Sequence, residues 1–372
     1  MKQYLFIFLA LNYPCIGNAP VTNSMVVSKI KMQNKQIIKQ YNTHIIMPHI
    51  HNPLNSILPI WNAGMGGGIA GAQLVATICE SGGVGILGTG SLPHEMVDAL
   101  IIQTRKLTNK PFGANILIPL SDGSDVSACF DNQIEILTLF WGDPKPYLKD
   151  AHNRGMFVAC QVGSTEEAIL AAEAGVDAVI LQGIEAGGHV SATQSLDAII
   201  LDTIKELGSI PVIASGGISS GGEIRRMLKL GARAVSLGTI FVATNEANSH
   251  HEYQKRICET SAKDTVITTM YSTGWENAPH RVIKTKYMEE YNERQVKGES
   301  FDKARESKAG HINKNGKKID LPELTIYPPT KEYVGDIDYL PLYAGQSVEN
   351  IVSIKSASEV LSRLASEMSE KN

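Results

Sequence analysis

In the stretch Asp177-Ala178-Val179-Ile180-Leu181-Gln182-Gly183-Ile184-Glu185-Ala186-Gly187-Gly188-His189-Val190-Ser191, a continuous apolar run ends in Gln182 and gives way to a glycine-rich turn carrying one histidine. The run has the pattern of a strand buried on both faces. Glycines let the backbone approach a flat or charged ligand closely, so this turn sets an imidazole over something bound against the peptide plane. His189 is therefore the leading catalytic candidate.

The joint that opens this stretch occurs twice. Ala174-Gly175-Val176-Asp177-Ala178-Val179 and Leu230-Gly231-Ala232-Arg233-Ala234-Val235 both read as a helix stopped by glycine and turned directly into a strand. Extending the pattern both ways predicts strands at 57–63, 84–87, 111–118, 134–140, 156–162, 177–182, 210–215 and 232–237. Helices are predicted at 70–81, 93–107, 144–154, 165–174, 196–207 and 221–230. Eight strands alternating with helices at near-regular spacing favour a closed (β/α)₈ TIM barrel over an open doubly wound sheet.

On this reading the barrel comprises 57–244 and 341–372, the segment 357–368 returning as its last helix. Residues 245–340 form an inserted helical cap after strand eight, with an exposed Lys/Gly-rich loop at 303–318. Residues 1–56 form an extension outside the fold. Its apolar run at 4–11 resembles a short signal core, with Gly17-Asn18-Ala19 as a cleavage candidate, but Pro20 would follow the cut. A start at Met47 is the other reading.

Bulk properties exclude several classes. With 43% hydrophobic and 19% charged residues there is ample material for a core. A net charge of -4, with no Lys/Arg run, argues against nucleic-acid binding, and eight or so apolar residues cannot span a bilayer. The cysteines Cys15, Cys79, Cys129, Cys160 and Cys258 show no CxxC spacing and suit free thiols in a reducing, cytoplasmic compartment. His49, His51, His250 and His251 read as surface residues, and no metal site is expected.

In such barrels the ligand sits at the C-terminal strand ends, and the loops after strands seven and eight commonly hold phosphate. Here they are Ser215-Gly216-Gly217-Ile218-Ser219-Ser220 and Ser236-Leu237-Gly238-Thr239, with exposed N–H groups, hydroxyls and a helix start behind. Ala63-Gly64-Met65 can lay backbone against a flat ring, and the strand-end amides of Asn115, Gln161 and Gln182 can bond its edges. A phosphorylated planar cofactor accounts for all of these. Glu185 is expected to fix the turn by accepting from backbone N–H groups.

The combination of Gln182 through His189, Gly216-Gly217, Gly238-Thr239 and Pro111-Phe112-Gly113-Ala114-Asn115 resembles the nitronate monooxygenases, formerly called 2-nitropropane dioxygenases. The resemblance covers roughly 58–281 and resumes at Tyr343-Ala344-Gly345. It implies an FMN-dependent oxidoreductase that uses O₂ to convert alkyl nitronates of the propionate 3-nitronate type to a carbonyl compound and nitrite. Carried over, it places Met65, Asn115, Gln182, Gly187, Gly217, Ser236, Leu237, Gly238 and Thr239 at FMN and His189 at the substrate, as base or hydrogen-bond donor. A small-molecule partner is implied, with neither nucleic acid nor membrane, and a homodimer is allowed. Two departures stand out: Ala63-Gly64-Met65 where the family has Ala-Pro-Met, and Gly238-Thr239-Ile240-Phe241 where it has Gly-Thr-Arg-Phe.

The nearest rival is an FMN-dependent, NAD(P)H-consuming enoyl-acyl-carrier-protein reductase with a similar Gly-Gly-His loop. The stretch Trp275-Glu276-Asn277-Ala278-Pro279-His280-Arg281 favours the monooxygenase. An IMP-dehydrogenase-like enzyme lacks its cysteine near strand six. A reading of another class is a flavin-free barrel that binds a phosphorylated metabolite; a Schiff-base aldolase of that kind would want an inward lysine, and none is evident on strands five to eight.

Overall fold

The computed structural model describes residues 52–90, 92–298, 300–314 and 316–370. The expectations for residues 1–51, including the apolar run at 4–11 and the start at Met47, lie outside these.

Eight parallel strands form the barrel: β1 (Ile60–Asn62), β2 (Ile86–Gly88), β3 (Gly113–Leu117), β4 (Ile136–Phe140), β5 (Phe157–Val162), β6 (Ala178–Gln182), β7 (Val212–Ser215) and β8 (Ala234–Leu237). Their order is β1-β8-β7-β6-β5-β4-β3-β2, and a parallel bridge from Trp61 to Val84 brings the last strand back to the first. At that thin seam Asn62 replaces missing backbone pairing. Its Nδ2 donates to the Ile86 carbonyl at 2.7 Å and its Oδ1 accepts from the Ile86 N–H at 2.8 Å.

Helices α1 (Ala72–Glu80), α2 (His94–Leu107), α3 (Ser124–Asp131), α4 (Lys145–Asn153), α5 (Thr165–Ala174), α6 (Leu196–Leu207) and α7 (Gly221–Leu230) fill the crossovers. Gly175 and Gly231 end α5 and α7 at φ 102° and 108°, the left-handed caps predicted for the repeated joint. Helix α3 was not foreseen, because eight residues entered through Gly123 are too few for a clear apolar stripe. The last helix, α12 (Ala357–Ser369), starts with a Ser356/Glu359 capping box and packs on α7 and α1.

Alternation along the strands sorts side chains into two cores. Trp61, Ile86, Ile136, Phe157, Ile180 and Ile213 form the cluster filling the lower barrel. Their alternate neighbours, such as Leu87, Leu137, Val158, Val179 and Val235, join the larger core with the helices. The fold starts earlier than expected: Pro53 is buried and Leu54 packs against the inner cluster, so 52–56 belong to the barrel floor rather than to an extension.

After the short helix α8 (Thr239–Val242), the inserted segment carries the helices α9 (His251–Glu259), α10 (Lys286–Val296) and α11 (Phe301–Glu306). It also carries strands the sequence reading did not foresee: β9 (Thr265–Thr268), β10 (His280–Ile283), β11 (Lys308–Lys314), β12 (Lys317–Pro322) and β13 (Tyr333–Gly335). Thus a cap expected to be helical is of mixed character. The expected loop at 303–318 is the end of α11 and a β11–β12 hairpin turning at Gly316, φ 73°. Lysines on its outer face concealed the buried Ala309, Ile312 and Leu321 beneath.

Candidate active site

The C-terminal strand ends surround one open cavity of about 180 Å³. Of the residues singled out from sequence, Met65, Gln161, Gln182, Gly187, His189, Gly217, Ser236, Leu237, Gly238 and Thr239 all line it. Asn115 lies behind this lining rather than on it. Its amide donates to Thr138 Oγ1 at 3.1 Å, and the first loop covers it. A Cβ on Gly64 would lie 2.1 Å from Asn115 Cβ, so the missing side chain is what lets Ala63-Gly64-Met65 settle onto Asn115. A Cβ on Gly88 would likewise strike the Met65 carbonyl.

The Gly187-Gly188-His189 turn is held from three sides. Gln182 donates from Nε2 to the His189 carbonyl and accepts at Oε1 from the Ser191 N–H, both at 3.1 Å. Glu185 accepts from the Leu196 N–H at 3.1 Å, the turn-fixing contact expected of it. Residues Gly188–His189 form a two-residue strand antiparallel to β10, and Arg281 donates to the Ile184 carbonyl at 2.8 Å. Gly187 is required because a Cβ would lie 2.3 Å from the Gly345 backbone N.

Aromatic rings encase the imidazole. Trp275 stacks on His189 at 4.2 Å between centroids, and Trp141 stands edge-on to both. Trp141 holds φ 66°, a left-handed conformation rare for a large side chain. Burial pushes His189 down to about 3, assisted by His280, whose ring centroid is 5.3 Å away. Burial also takes His280 to about 4 despite its Nδ1 contact to the Ala278 carbonyl at 2.9 Å. Both Nε2 atoms are buried without a partner. Burial of the ring thus favours the neutral imidazole at His189.

Across the cavity, the anion cradle differs in one respect from expectation. The start of α7 is already occupied: Ser219 and Ser220 N–H groups donate to Glu223, and Gly221 N–H to Glu367. Among the described residues, nothing accepts from the N–H groups of Gly217, Ile218, Gly238 and Thr239. Gly217 has φ 72°, and the Thr239 hydroxyl accepts from Gly345 N–H at 3.0 Å. Open N–H groups converging from two loops suit a phosphate.

Phe140, Trp141 and Ile326 escaped the sequence reading. Phe140-Trp141 ends strand four, so the strand-end rule applied to the other strands would have found it. Ile326 lies in the cap and carries no local signal. Cys79 and Cys160 are buried as expected, their thiols pushed up to about 12 by burial.

Among the described residues, no Lys, Cys, Asp or Glu lines the cavity, so these residues supply neither a charged acid–base pair nor a reactive nucleophile there. A site of this kind leaves the difficult chemistry to a bound cofactor, and the class to which the barrel points is the flavin-dependent oxidoreductases. The chain belongs to the nitronate monooxygenase family, whose description matches residues 51–367. It is 26% identical to the probable nitronate monooxygenase of Bacillus subtilis, over 83% of this chain and 95% of that one. It is 31% identical to the (3aS,4S,5R,7aS)-5-hydroxy-7a-methyl-1-oxo-octahydro-1H-indene-4-carboxyl-CoA dehydrogenase of Mycobacterium tuberculosis, over 64% of this chain and 68% of the relative. FabK from Thermotoga maritima superposes with a TM-score of 0.72 at 28% identity, over 85% and 94% of the two chains.

Proposed function

We propose that the protein binds FMN and oxidises alkyl nitronates with O₂. Two nitronates and one O₂ would give two carbonyl compounds and two nitrite ions, which balances atoms and charge. The supporting observation is the cavity itself, with an open N–H cradle on one side and a neutral histidine on the other.

The N–H groups of Gly217, Gly238 and Thr239 would hold the FMN phosphate, while Met65, Gly187, Ser236 and Leu237 would flank the rest. Gln182 would act chiefly by fixing the His189 backbone, since both ends of its amide already bond that turn. Asn115 would support the first loop from beneath. The flavin, when bound, supplies electron acceptance from the substrate and reaction with O₂. His189 would bond the nitronate oxygens rather than remove a proton, because an imidazole pushed down to about 3 is a weak base. A nitronate already carries the carbanion character that a neutral nitroalkane must gain by deprotonation.

The second reading is a flavin reductase or dehydrogenase of a thioester substrate, favoured by the relative that acts on a carboxyl-CoA compound. One experiment separates the two. The flavin spectrum of the purified protein is followed anaerobically during addition of ethyl nitronate, and in a second sample during addition of NADPH. Bleaching by the nitronate alone is the expected result. Bleaching by NADPH alone would move the assignment to the second reading, and a protein that cannot be loaded with FMN would end both.

A further inference from the structure

Two tryptophans, one from the barrel and one from the cap, meet at His189. Trp141 follows Phe140 at the end of β4, and Trp275 lies in the cap loop between β9 and β10. Trp275 lies nearly parallel to the imidazole, inclined by 25° at 4.2 Å between centroids. Trp141 meets Trp275 edge-on at 5.1 Å and His189 at 6.5 Å. Backbone pairing sets this arrangement: His189 stands opposite His280 in the register, and the Val190 N–H donates to the Pro279 carbonyl at 2.9 Å. From the other side the loop is tied by the Thr273 N–H, which donates to the Leu324 carbonyl at 2.8 Å, and by Arg305, which donates to Glu276 at 3.0 Å. Trp141 does not line the cavity, although its neighbour Phe140 does. It keeps its left-handed backbone all the same, a strained conformation that persists only where the surroundings enforce it.

We infer that Trp275 and Trp141 are positioning residues: Trp275 fixes the plane of the His189 ring and keeps water from it, and Trp141, outside the lining, holds Trp275 in place. This rests on the reading of His189 as the group that meets the substrate. A hydrogen bond from the imidazole is made only when the ring lies in the plane of the substrate oxygen, and a stacked indole resists rotation out of that plane. The same cover favours the neutral ring, burial being the first cause of the low His189 pKa. The titratable groups facing the ring are His280 from β10 and Tyr343 from the segment returning to the barrel, 5.3 and 5.6 Å away between centroids. Burial holds the Tyr343 phenol well above its usual range, which leaves His280 as the group whose charge His189 feels. Glu185, on the same turn, is committed to the Leu196 N–H and lies near Arg281.

The test follows the histidine ring C–H resonances of the FMN-loaded protein by NMR from about pH 8 to about pH 5.5, assigned against His189→Gln, together with kcat for ethyl nitronate. The wild-type His189 resonance should stay still over this range. In Trp275→Ala water reaches the ring, so the resonance should begin to move below about pH 6.5 and kcat should fall roughly tenfold. Trp275→Phe restores a flat face and should bring kcat back to within about threefold of wild type. Trp141→Ala should move both readouts in the direction of Trp275→Ala, kcat by about threefold. A still His189 resonance in a Trp275→Ala protein with an intact flavin spectrum would overturn the inference, and so would Trp275→Phe no better than Trp275→Ala. Should Trp275→Ala fail to hold flavin, Trp141→Ala decides, and wild-type values for both readouts would overturn the inference. Absence of turnover in the wild type is a separate result that removes the nitronate reading, and the titration then decides the inference by itself.

Discussion

Acidification should unfold this protein through its two buried imidazoles. His189 and His280 titrate at about 3 and about 4 in the folded chain, against about 6.5 when unfolded. Because the folded-state values are depressed, the unfolded chain binds protons first as the pH falls below about 6.5. Stability is therefore fully present above that value and is lost on the way down toward pH 4 and then 3. Between pH 7.5 and 5.0 each histidine shifts the balance by roughly 1.4 pH units, or about 2 kcal/mol, so the pair contributes about 4 kcal/mol. Asp125 opposes this weakly, since burial raises its carboxyl and makes protonation favour the folded state. The assay is urea unfolding of the FMN-loaded protein at pH 7.5, 6.5 and 5.0, where the midpoint should fall by about 1–2 M. His280→Asn keeps a donor for the Ala278 carbonyl and should remove about half of the pH dependence. An identical pH dependence in wild type and His280→Asn would refute the reasoning.

Three further outcomes test the site. His189→Ala should lower kcat for ethyl nitronate about a hundredfold while flavin affinity changes little; unaltered turnover would reduce the histidine to a structural role. Gln182→Leu strips the His189 carbonyl and the Ser191 N–H of their partners, so stability should fall by about 1–3 kcal/mol in urea titrations and kcat should fall with it. Gly64→Ala drives a Cβ into Asn115 and should displace the first loop, raising the FMN dissociation constant at least about tenfold when measured by flavin fluorescence.

Cofactor and substrate ask different things of this cavity. A phosphate can be held by N–H groups and dipoles alone, and Gly217, Ile218, Gly238 and Thr239 leave such groups open. Those N–H groups come from loops whose glycines admit backbone where side chains would intrude. The rest of the lining mixes bulky apolar residues with tyrosines and Gln161, several of them from the cap.

The barrel was legible in the sequence because its information is local. Apolar runs, glycine stops and helix periods repeat along the chain, and the predicted strands fall within a few residues of those observed. The EAGGH turn and the two glycine-rich loops after β7 and β8 could be read for the same reason, each being a short segment at a strand end. The cap could not, since its sheets pair residues whose alternation is masked by lysines, and β10 pairs with a turn about 90 residues earlier. Tertiary structure alone decided three things. It stacked Trp275 on His189 and buried the imidazole beside His280, which fixes its charge. It committed Gln182 to the His189 backbone and sank Asn115 beneath Gly64. It also brought no charged side chain of the described residues to the cavity, because charge and burial at a site depend on which distant segments converge there, and spacing along one chain does not record that.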